Sequence, residues 1–235
     1  LFLKTKHIGD SIILTSAIAA LPDDYVVDVL CFRDSAAIFE MNPRVREIFV
    51  VPRHLNGLAR LRQDWSNLRR MSAQRYDLLC QFSDDWRGSF ISRVLRVKLS
   101  VARCSEKRPA FWTNAFAHIA KLTLSPRPAA EQEVDLIRKA NLYSGQEAPA
   151  YQLKVSEDHL EKVRKWLALP LKGEDNKLVV IHAAARWKFK GLPNQTWAKV
   201  IDGLIDRGFI VVLSGSAADL EFNKSLIGFC DPPPK

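Results

Sequence analysis

The chain has 235 residues, of which 47% are hydrophobic and 26% charged, the composition of a folded globular protein with one large or two modest domains. No apolar run approaches the roughly 20 residues needed to span a bilayer, and the first run is too short for a signal peptide, so neither a transmembrane helix nor export is expected. The net charge of +9 favours anionic partners.

The first half of the chain alternates short β-branched runs with longer amphipathic ones, the pattern of a parallel sheet covered by helices. The predicted strands are "LFLK", "YVVDVLCF", "REIFVV", "YDLLCQF" and "VKLSV". The predicted helices between them are "SIILTSAIAAL", "SAAIFEM", "GLARLRQDWSNLRRMSA" and "WRGSFISRVLR". These segments predict one doubly wound α/β layer through about residue 105.

A second series follows a polar, helical middle section: strand "KLVVIHAA", helix "PNQTWAKVIDGLIDRG" and strand "FIVVLSGS". Pro193 is placed to begin this helix and Gly208 to end it. Its residues at helical spacing on one apolar face are Trp197, Val200, Ile201, Leu204 and Ile205. The economical interpretation is two Rossmann-like lobes with parallel sheets, residues 1–145 and 146–235, joined at the turn-rich segment 143–149.

Ligands of open parallel sheets bind beyond the carboxyl ends of the strands, where loops meet helix N-termini. Three segments follow predicted strands in this way: "KTKHIGDS", "HAAARWKFKGLP" and "LSGSAADLE". We therefore expect functional side chains in these three segments.

Asp10 stands at the mouth of a predicted helix on which Leu14, Ile18 and Leu21 line one face. Two roles fit this position. The carboxylate can serve as a helix N-cap. Held ionised by the helix dipole, it can also accept a proton from an attacking hydroxyl.

Basic residues accompany two of the three segments. Lys4 and Lys6 lie beside Asp10 and fit either surface charges or anion contacts. Arg186, Lys188 and Lys190 crowd the loop before a helix, where lysine and backbone N–H groups together form a good phosphate site. A solvated basic loop explains the same residues equally well.

The third segment offers Gly215 for a tight turn, with Asp219 or Glu221 either accepting hydrogen bonds from sugar hydroxyls or capping the next helix. Neither turn has the three-glycine spacing of a dinucleotide fingerprint, which disfavours a nicotinamide enzyme. Asp84 and Asp85 follow another strand; adjacent acids at a helix start are more often caps than metal ligands.

The remaining chemistry of the chain is sparse. Its widely spaced cysteines are expected to be buried free thiols in a reducing cytoplasm: Cys31, Cys80, Cys104 and Cys230. Because the histidines are also scattered, no metal site is expected. A helix-turn-helix or aromatic ribonucleoprotein motif is missing, so phosphorylated small molecules or lipids fit the net charge better than nucleic acid.

Several of these segments carry a family resemblance. "LKTKHIGDSIILTSAIAALP" and "ARWKFKGLPNQTWAKVIDGLIDRGFIVVLSGS", in this order, resemble the bacterial heptosyltransferases that build the lipopolysaccharide core. "YDLLCQFSDDW", "RVLRVKLSV" and "RPAFWTNAFAH" are similar to the branch of that family which adds a side-branch heptose. The likeness covers nearly the whole chain.

The resemblance implies a GT-B glycosyltransferase whose N-terminal lobe binds the acceptor and whose C-terminal lobe binds ADP-heptose. Transfer would be inverting and metal-independent, without a cofactor, and Asp10 would be the general base. Donor-binding positions are then Lys190, Ala184, Ala185, Arg186, Gly215 and Asp219. Acceptor-binding positions are Lys4, Lys6, His7, Gly9 and Arg108, and weaker candidates are Arg60, Arg62, Arg69, Arg70, Arg103 and Lys107. A phosphorylated glycolipid acceptor implies work at the cytoplasmic face of the inner membrane.

The chain departs from the family pattern at several positions. Leu192 stands where tryptophan is usual, Ala184 where threonine or glycine is frequent, and Ser216 at an expected glycine. Family members continue past "GFCDPPPK" into an Asp-[Ser or Thr]-Gly donor loop with no match here, so the second lobe is expected to be incomplete. Transfer of another nucleotide sugar and noncatalytic nucleotide or carbohydrate binding remain alternatives.

Overall fold

The structure, a computed structural model, describes residues 1–53, 56–104, 107–121, 126–167, 178–185 and 188–234. The chain divides into two compact units, Leu1–Glu157 and Asp158–Lys235. Residues following the predicted boundary at 145 are attached to the first unit: Asn42 Nδ2 donates to the Gln152 carbonyl (3.1 Å), and the Lys154 N–H donates to the Met41 carbonyl (2.7 Å). These contacts explain why the first unit extends to Glu157.

The first unit is built on six parallel strands. They are β1 (Phe2–Lys4), β2 (Val27–Phe32), β3 (Val45–Val51), β4 (Leu78–Gln81), β5 (Leu99–Cys104) and β6 (His118–Lys121). Their spatial order is β3-β2-β1-β4-β5-β6. The order reverses between β1 and β4, and this switch point is where open sheets of this kind bind ligands.

Helices cover both faces of this sheet. They are α1 (Ile8–Ala19), α2 (Ala36–Glu40), α3 (Gly57–Ser72), α4 (Arg87–Leu95), α5 (Ala110–Thr113) and α6 (Ala129–Lys139), with a 3-10 turn at Arg33–Ser35. Strand residues alternate between two cores: Phe2 belongs to the core under α1 and α6, whereas Leu3 belongs to the core under α3 and α4. This alternation is the two-residue period of a strand covered on both faces.

The five predicted strands of the first half are confirmed, but the layer does not end near residue 105. It continues through β6, which pairs with β5, and α6, which packs against α1. Because β6 is an edge strand with exposed ends, His118 and Lys121, it lacks the apolar pattern of the central strands.

The second unit contains a parallel pair, β7 (Leu178–Ile181) and β8 (Ile210–Leu213). Its helices are α7 (Glu157–Leu167), α8 (Asn194–Ile205) and α9 (Leu220–Ile227), with 3-10 turns at Lys188–Lys190 and Ala217–Asp219. Pro193 is the N-cap of α8 and Gly208 has a φ of +79°, as the predicted ends require. The prediction for Val200 is wrong: this side chain is exposed, whereas Ile201 is buried in the core and Trp197, Leu204 and Ile205 pack against it.

Two further properties concern the described residues as a whole. Across these ranges, no helix is both long and apolar enough to cross a membrane.

Cys31 and Cys80 are buried, and burial raises the pKa of each thiol to about 12. Cys104 and Cys230 are only half-buried, so the prediction of four buried thiols is correct for two of them.

Candidate functional site

The loops after β1 and β4 meet at the switch point of the first sheet. Parallel pairing places Leu3 opposite Gln81, so β1 and β4 end at the same edge of the sheet. The Thr5 N–H donates to Ser83 Oγ (2.7 Å), and the Thr5 hydroxyl donates to the Asp85 carboxylate. These bonds join the two loops into one surface beside the N-terminus of α1.

Asp10 lies in the first turn of α1 rather than at its cap. The helix begins at Ile8, which makes His7 the N-cap residue. The His7 N–H donates to Asp10 Oδ2 (3.3 Å), so the carboxylate does stabilise the helix start. Asp10 is half-buried at the positively polarised end of the helix. The predicted capping contribution is therefore present, and the carboxylate remains accessible to solvent.

An exposed patch surrounds this carboxylate. Lys6, His7 and Gly9 are all exposed. A Cβ at Gly9 would have no atom within 4 Å in the described part of the chain, so the space beside the first turn of α1 is open. Packing among the described residues therefore does not explain why glycine stands at this position.

Arg53 belongs to the same patch, although the sequence analysis gave it no role. Its Nη2 lies 3.3 Å from His7 Nδ1 and donates to the Lys6 carbonyl (3.2 Å). Its Nε donates to Asp34 (2.7 Å), and its guanidinium stacks 4.1 Å from the centre of the Phe32 ring. The available signal was its position two residues after β3, at the carboxyl edge of the sheet.

Lys4 does not occupy the predicted surface position. The residue is 2% exposed, and its Nζ donates to Glu133 Oε1 (2.7 Å) on α6. Arg103 Nη1 donates to the same oxygen (2.9 Å), forming a buried cluster of two cations and one carboxylate. Burial lowers the pKa of Lys4, while Glu133 opposes this shift. The surface-charge reading of Lys4 is wrong, and the roles that the geometry shows for Lys4 and Arg103 are structural.

The acids after β4 are engaged within the chain. Arg108 Nε donates to Asp84 Oδ1 (3.1 Å), so this predicted acceptor-contact residue is already ion-paired. Asp85 Oδ1 accepts from the Arg87 N–H (3.0 Å) at the start of α4, as a cap does. Among the described residues, no cluster of three or more His, Cys, Asp or Glu side chains has the arrangement of a metal site.

The second unit brings the ends of β7 and β8 together. The Ser214 N–H donates to the Ile181 carbonyl (2.8 Å), and Ser214 Oγ lies 3.5 Å from His182 Nδ1. His182 opens the predicted loop but had been given no role. Of the predicted donor positions that follow it, Ala184 is half-buried and Ala185 exposed, while Arg186 lies outside the described residues.

Lys190 is exposed in the 3-10 turn that precedes α8. Its ammonium lies 5.9 Å from the centre of the Phe189 ring, and Phe189 is 81% exposed. The two side chains extend from the unit into solvent, a position suited to contact with an anionic ligand.

Asp219 performs the helix-capping role that the sequence analysis offered for it. Its Oδ2 accepts from the Ser216 N–H (2.8 Å) and the Ser216 hydroxyl (2.7 Å), and these two bonds lower the pKa of its carboxyl. Gly215 avoids a close approach, because a Cβ there would lie 3.0 Å from Asp219 Cβ. Glu221 pairs with Lys224 (3.1 Å). Contacts within the chain therefore account for the positions of both carboxylates, without a nucleotide or sugar ligand.

Comparison with known proteins agrees with this architecture. The sequence profile of Glycosyltransferase family 9 (heptosyltransferase) matches residues 65–232. A relative named Lipopolysaccharide heptosyltransferase 3, from Escherichia coli (strain K12), is 24% identical over 236 residues, 97% of this chain and 67% of the relative.

Solved structures show the same fold. The glycosyl transferase family 9 protein from Veillonella parvula DSM 2008 has a TM-score of 0.82 at 15% identity, covering 99% of this chain and 66% of that protein. The E. coli heptosyltransferase WaaC with ADP has a TM-score of 0.73 at 17% identity, covering 97% and 71%. This chain thus spans about two thirds of the length of the relatives it matches. The predicted resemblance and GT-B-like fold are confirmed, with the second lobe represented in part.

Proposed function

Because this chain belongs to glycosyltransferase family 9, the heptosyltransferase family, we propose that it takes part in heptose transfer during assembly of the lipopolysaccharide inner core. The donor is ADP-heptose, and the acceptor is a hydroxyl of a core heptose. Transfer proceeds in one displacement with inversion at the anomeric carbon. The family membership confirms the glycosyltransferase class predicted from the sequence.

The placement of Asp10 carries the mechanistic part of the proposal. Its carboxylate is partly exposed in the first turn of α1, at the switch point of the sheet. A carboxylate placed in this way can accept a proton from a neighbouring hydroxyl group. Asp10 accepts the proton of the attacking hydroxyl while that oxygen forms the new glycosidic bond and the ADP group departs with the bonding electron pair.

The acceptor is proposed to occupy the exposed patch of Lys6, His7 and Gly9 beside this carboxylate. The open space beside Gly9 leaves the helix start accessible to an acceptor sugar. Arg53, bonded to the Lys6 carbonyl, adds a guanidinium that can contact phosphate groups of a phosphorylated glycolipid. Lys4 is not part of this patch.

The donor is proposed to bind the loops after β7 and β8, with Lys190 facing its diphosphate. The exposed ammonium of Lys190 stands just before the N-terminus of α8, where backbone N–H groups are unpaired within the helix. A lysine and a helix N-terminus can stabilise the charge that grows on the departing diphosphate, without a metal ion. The reaction is proposed to occur at the cytoplasmic face of the inner membrane, where the acceptor is held.

Replacement of Asp10 with asparagine tests the base role. General-base catalysis typically contributes about 10²- to 10⁴-fold, so turnover from ADP-heptose to a heptose-terminated core acceptor should fall by that order. Asp23→Asn is the matched control, since Asp23 is an exposed acid beyond the other end of α1. Circular dichroism and urea denaturation establish that both variants fold. Equal turnover in the Asp10 and Asp23 variants would refute the base assignment.

A further inference from the structure

The helix α3 has an apolar stripe that the described part of the chain does not cover. Leu58, Leu61 and Trp65, spaced to fall on one side of the helix, are 79%, 64% and 70% exposed. The face that packs on the sheet is a different one, because Asn67 and Met71 are the buried residues of this helix. Apolar residues at helical spacing usually mark a buried face, so this second stripe needs another partner.

A second apolar group continues this stripe on α4 and α5. Phe90 and Val94 lie one turn apart on α4 and are 55% and 53% exposed. The Phe111 ring, half exposed on α5, lies 5.9 Å from Phe90 and 6.2 Å from Trp86. We call the combined surface the aromatic face; its residues are Leu58, Leu61, Trp65, Trp86, Phe90, Val94 and Phe111.

A groove of about 540 Å³ lies between α3 and α4, within the aromatic face. Trp65 from α3, Phe90 from α4 and Asp85 all line it. The Asp85 carboxylate also accepts the Thr5 hydroxyl at the switch point. The aromatic face is therefore continuous with the surface where the acceptor is proposed to bind.

The two helices that carry most of the aromatic face have a net positive charge. Helices α3 and α4 contain six arginines and one acid, Asp64, which pairs with Arg60 (3.9 Å) and Arg87 (3.4 Å); Asp85 is a second acid in the lining of the groove. Arg60 and Arg62 are both exposed. Exposed tryptophan and phenylalanine with arginine at the margins are typical of helices that lie in a membrane interface. A symmetric contact with a second copy would instead bring two positive faces together.

We propose that the aromatic face docks on an anionic lipid bilayer, with the aromatic side chains entering the headgroup boundary and the arginines contacting lipid phosphates. The choice of a lipid partner rests on the proposed function, in which the acceptor is a glycolipid. Docking in this orientation brings the groove, and with it the switch point that Asp85 joins through Thr5, to the membrane surface where such an acceptor is anchored.

Vesicle co-sedimentation tests the docking. The protein should bind vesicles of phosphatidylcholine containing phosphatidylglycerol, bind pure phosphatidylcholine less, and be released by added salt. The double variant Trp65→Ser/Phe90→Ser should bind the anionic vesicles at least about 10-fold more weakly, because both apolar side chains are lost from the interface. Trp166→Ser is the matched control, since Trp166 is 64% exposed on α7 in the other unit.

Each outcome decides for or against the proposal. The proposal would be overturned if wild-type protein bound neither type of vesicle. It would also be overturned if the double variant bound anionic vesicles as well as the Trp166→Ser control does. A wild-type dimer in sedimentation velocity that the double variant loses, without a change in vesicle binding, would assign the aromatic face to a second copy instead. Transfer to a lipid-free core oligosaccharide separates the two proposals: the double variant should retain it, and its absence in wild type would count against the proposed function alone.

Discussion

Replacing Glu133 with glutamine should test the most enclosed charge cluster of the first unit. Glu133 Oε1 accepts from Lys4 Nζ (2.7 Å) and Arg103 Nη1 (2.9 Å), and the carboxylate side chain is only 5% exposed. The three residues join β1, β5 and α6, elements far apart in the chain. Glutamine preserves the shape of the side chain but removes its negative charge, leaving two cations without their counter-charge.

The expected loss follows from the burial of Lys4. Breaking a buried ion pair by removing one partner typically costs about 3–5 kcal/mol, a large part of the roughly 5–15 kcal/mol that stabilises a domain. With a urea m-value of about 2 kcal/mol/M, the denaturation midpoint should fall by about 1.5–2.5 M. Glu161→Gln is the control: its pair with Lys165 is exposed and should contribute only about 0–1 kcal/mol.

The pH dependence of the variant has a definite sign. Burial already holds the pKa of Lys4 below its ordinary value of 10.5, and removal of Glu133 should lower it further. At pH values between the pKa of folded Lys4 and 10.5, Lys4 is protonated in the unfolded chain but not in the folded one, so the free energy of unfolding rises with pH. This pH range is wider in the variant, so the rise should be larger there than in wild type.

Urea denaturation followed by circular dichroism measures both effects. The companion double variant Lys4→Met/Glu133→Leu should recover part of the loss, because it removes a buried cation together with its buried anion. A midpoint for Glu133→Gln within about 0.3 M of the Glu161→Gln control would refute the reasoning, as would a variant stability that does not change with pH.

Two further variants address other parts of the first unit. Burial would raise the pKa of Asp28, but hydrogen bonds from Arg46 and Tyr76 outweigh it and hold the pKa below 3.8. Asp28→Asn should therefore destabilise by about 1–3 kcal/mol at neutral pH in urea denaturation, and its deficit should shrink as wild type loses this contribution on acidification below 3.8; a deficit independent of pH would contradict this. Gly9→Ala should keep or slightly raise stability, since alanine favours helix by up to about 1 kcal/mol and its Cβ would have no atom of the described residues within 4 Å. The same variant should weaken acceptor use in steady-state kinetics; unchanged kinetics would show that no acceptor approaches there.

Much of the framework could be predicted without coordinates because it depends on local periodicity. A buried strand is a continuous apolar run, which is why β1 to β5 were located. The ends of α8 were predicted from Pro193 and Gly208, whose backbone preferences act within one turn. The loops after the strands were likewise identified, since the carboxyl edge of a parallel sheet follows from strand direction alone.

Local periodicity does not show which residues that are distant in the sequence contact one another. Lys4 was predicted to be either a surface charge or an anion contact, because nothing near it in the sequence indicated Glu133. That residue is 129 positions away, on a helix that the sequence analysis had not assigned to this layer. The contacts of Arg53 with His7 and of Arg108 with Asp84 also join residues that are distant in the sequence, so no local pattern indicated them. A charge is buried or exposed according to its partner. That partner is selected by strand register and helix packing, so only the tertiary structure decided which charged residues hold the fold and which remain at the surface.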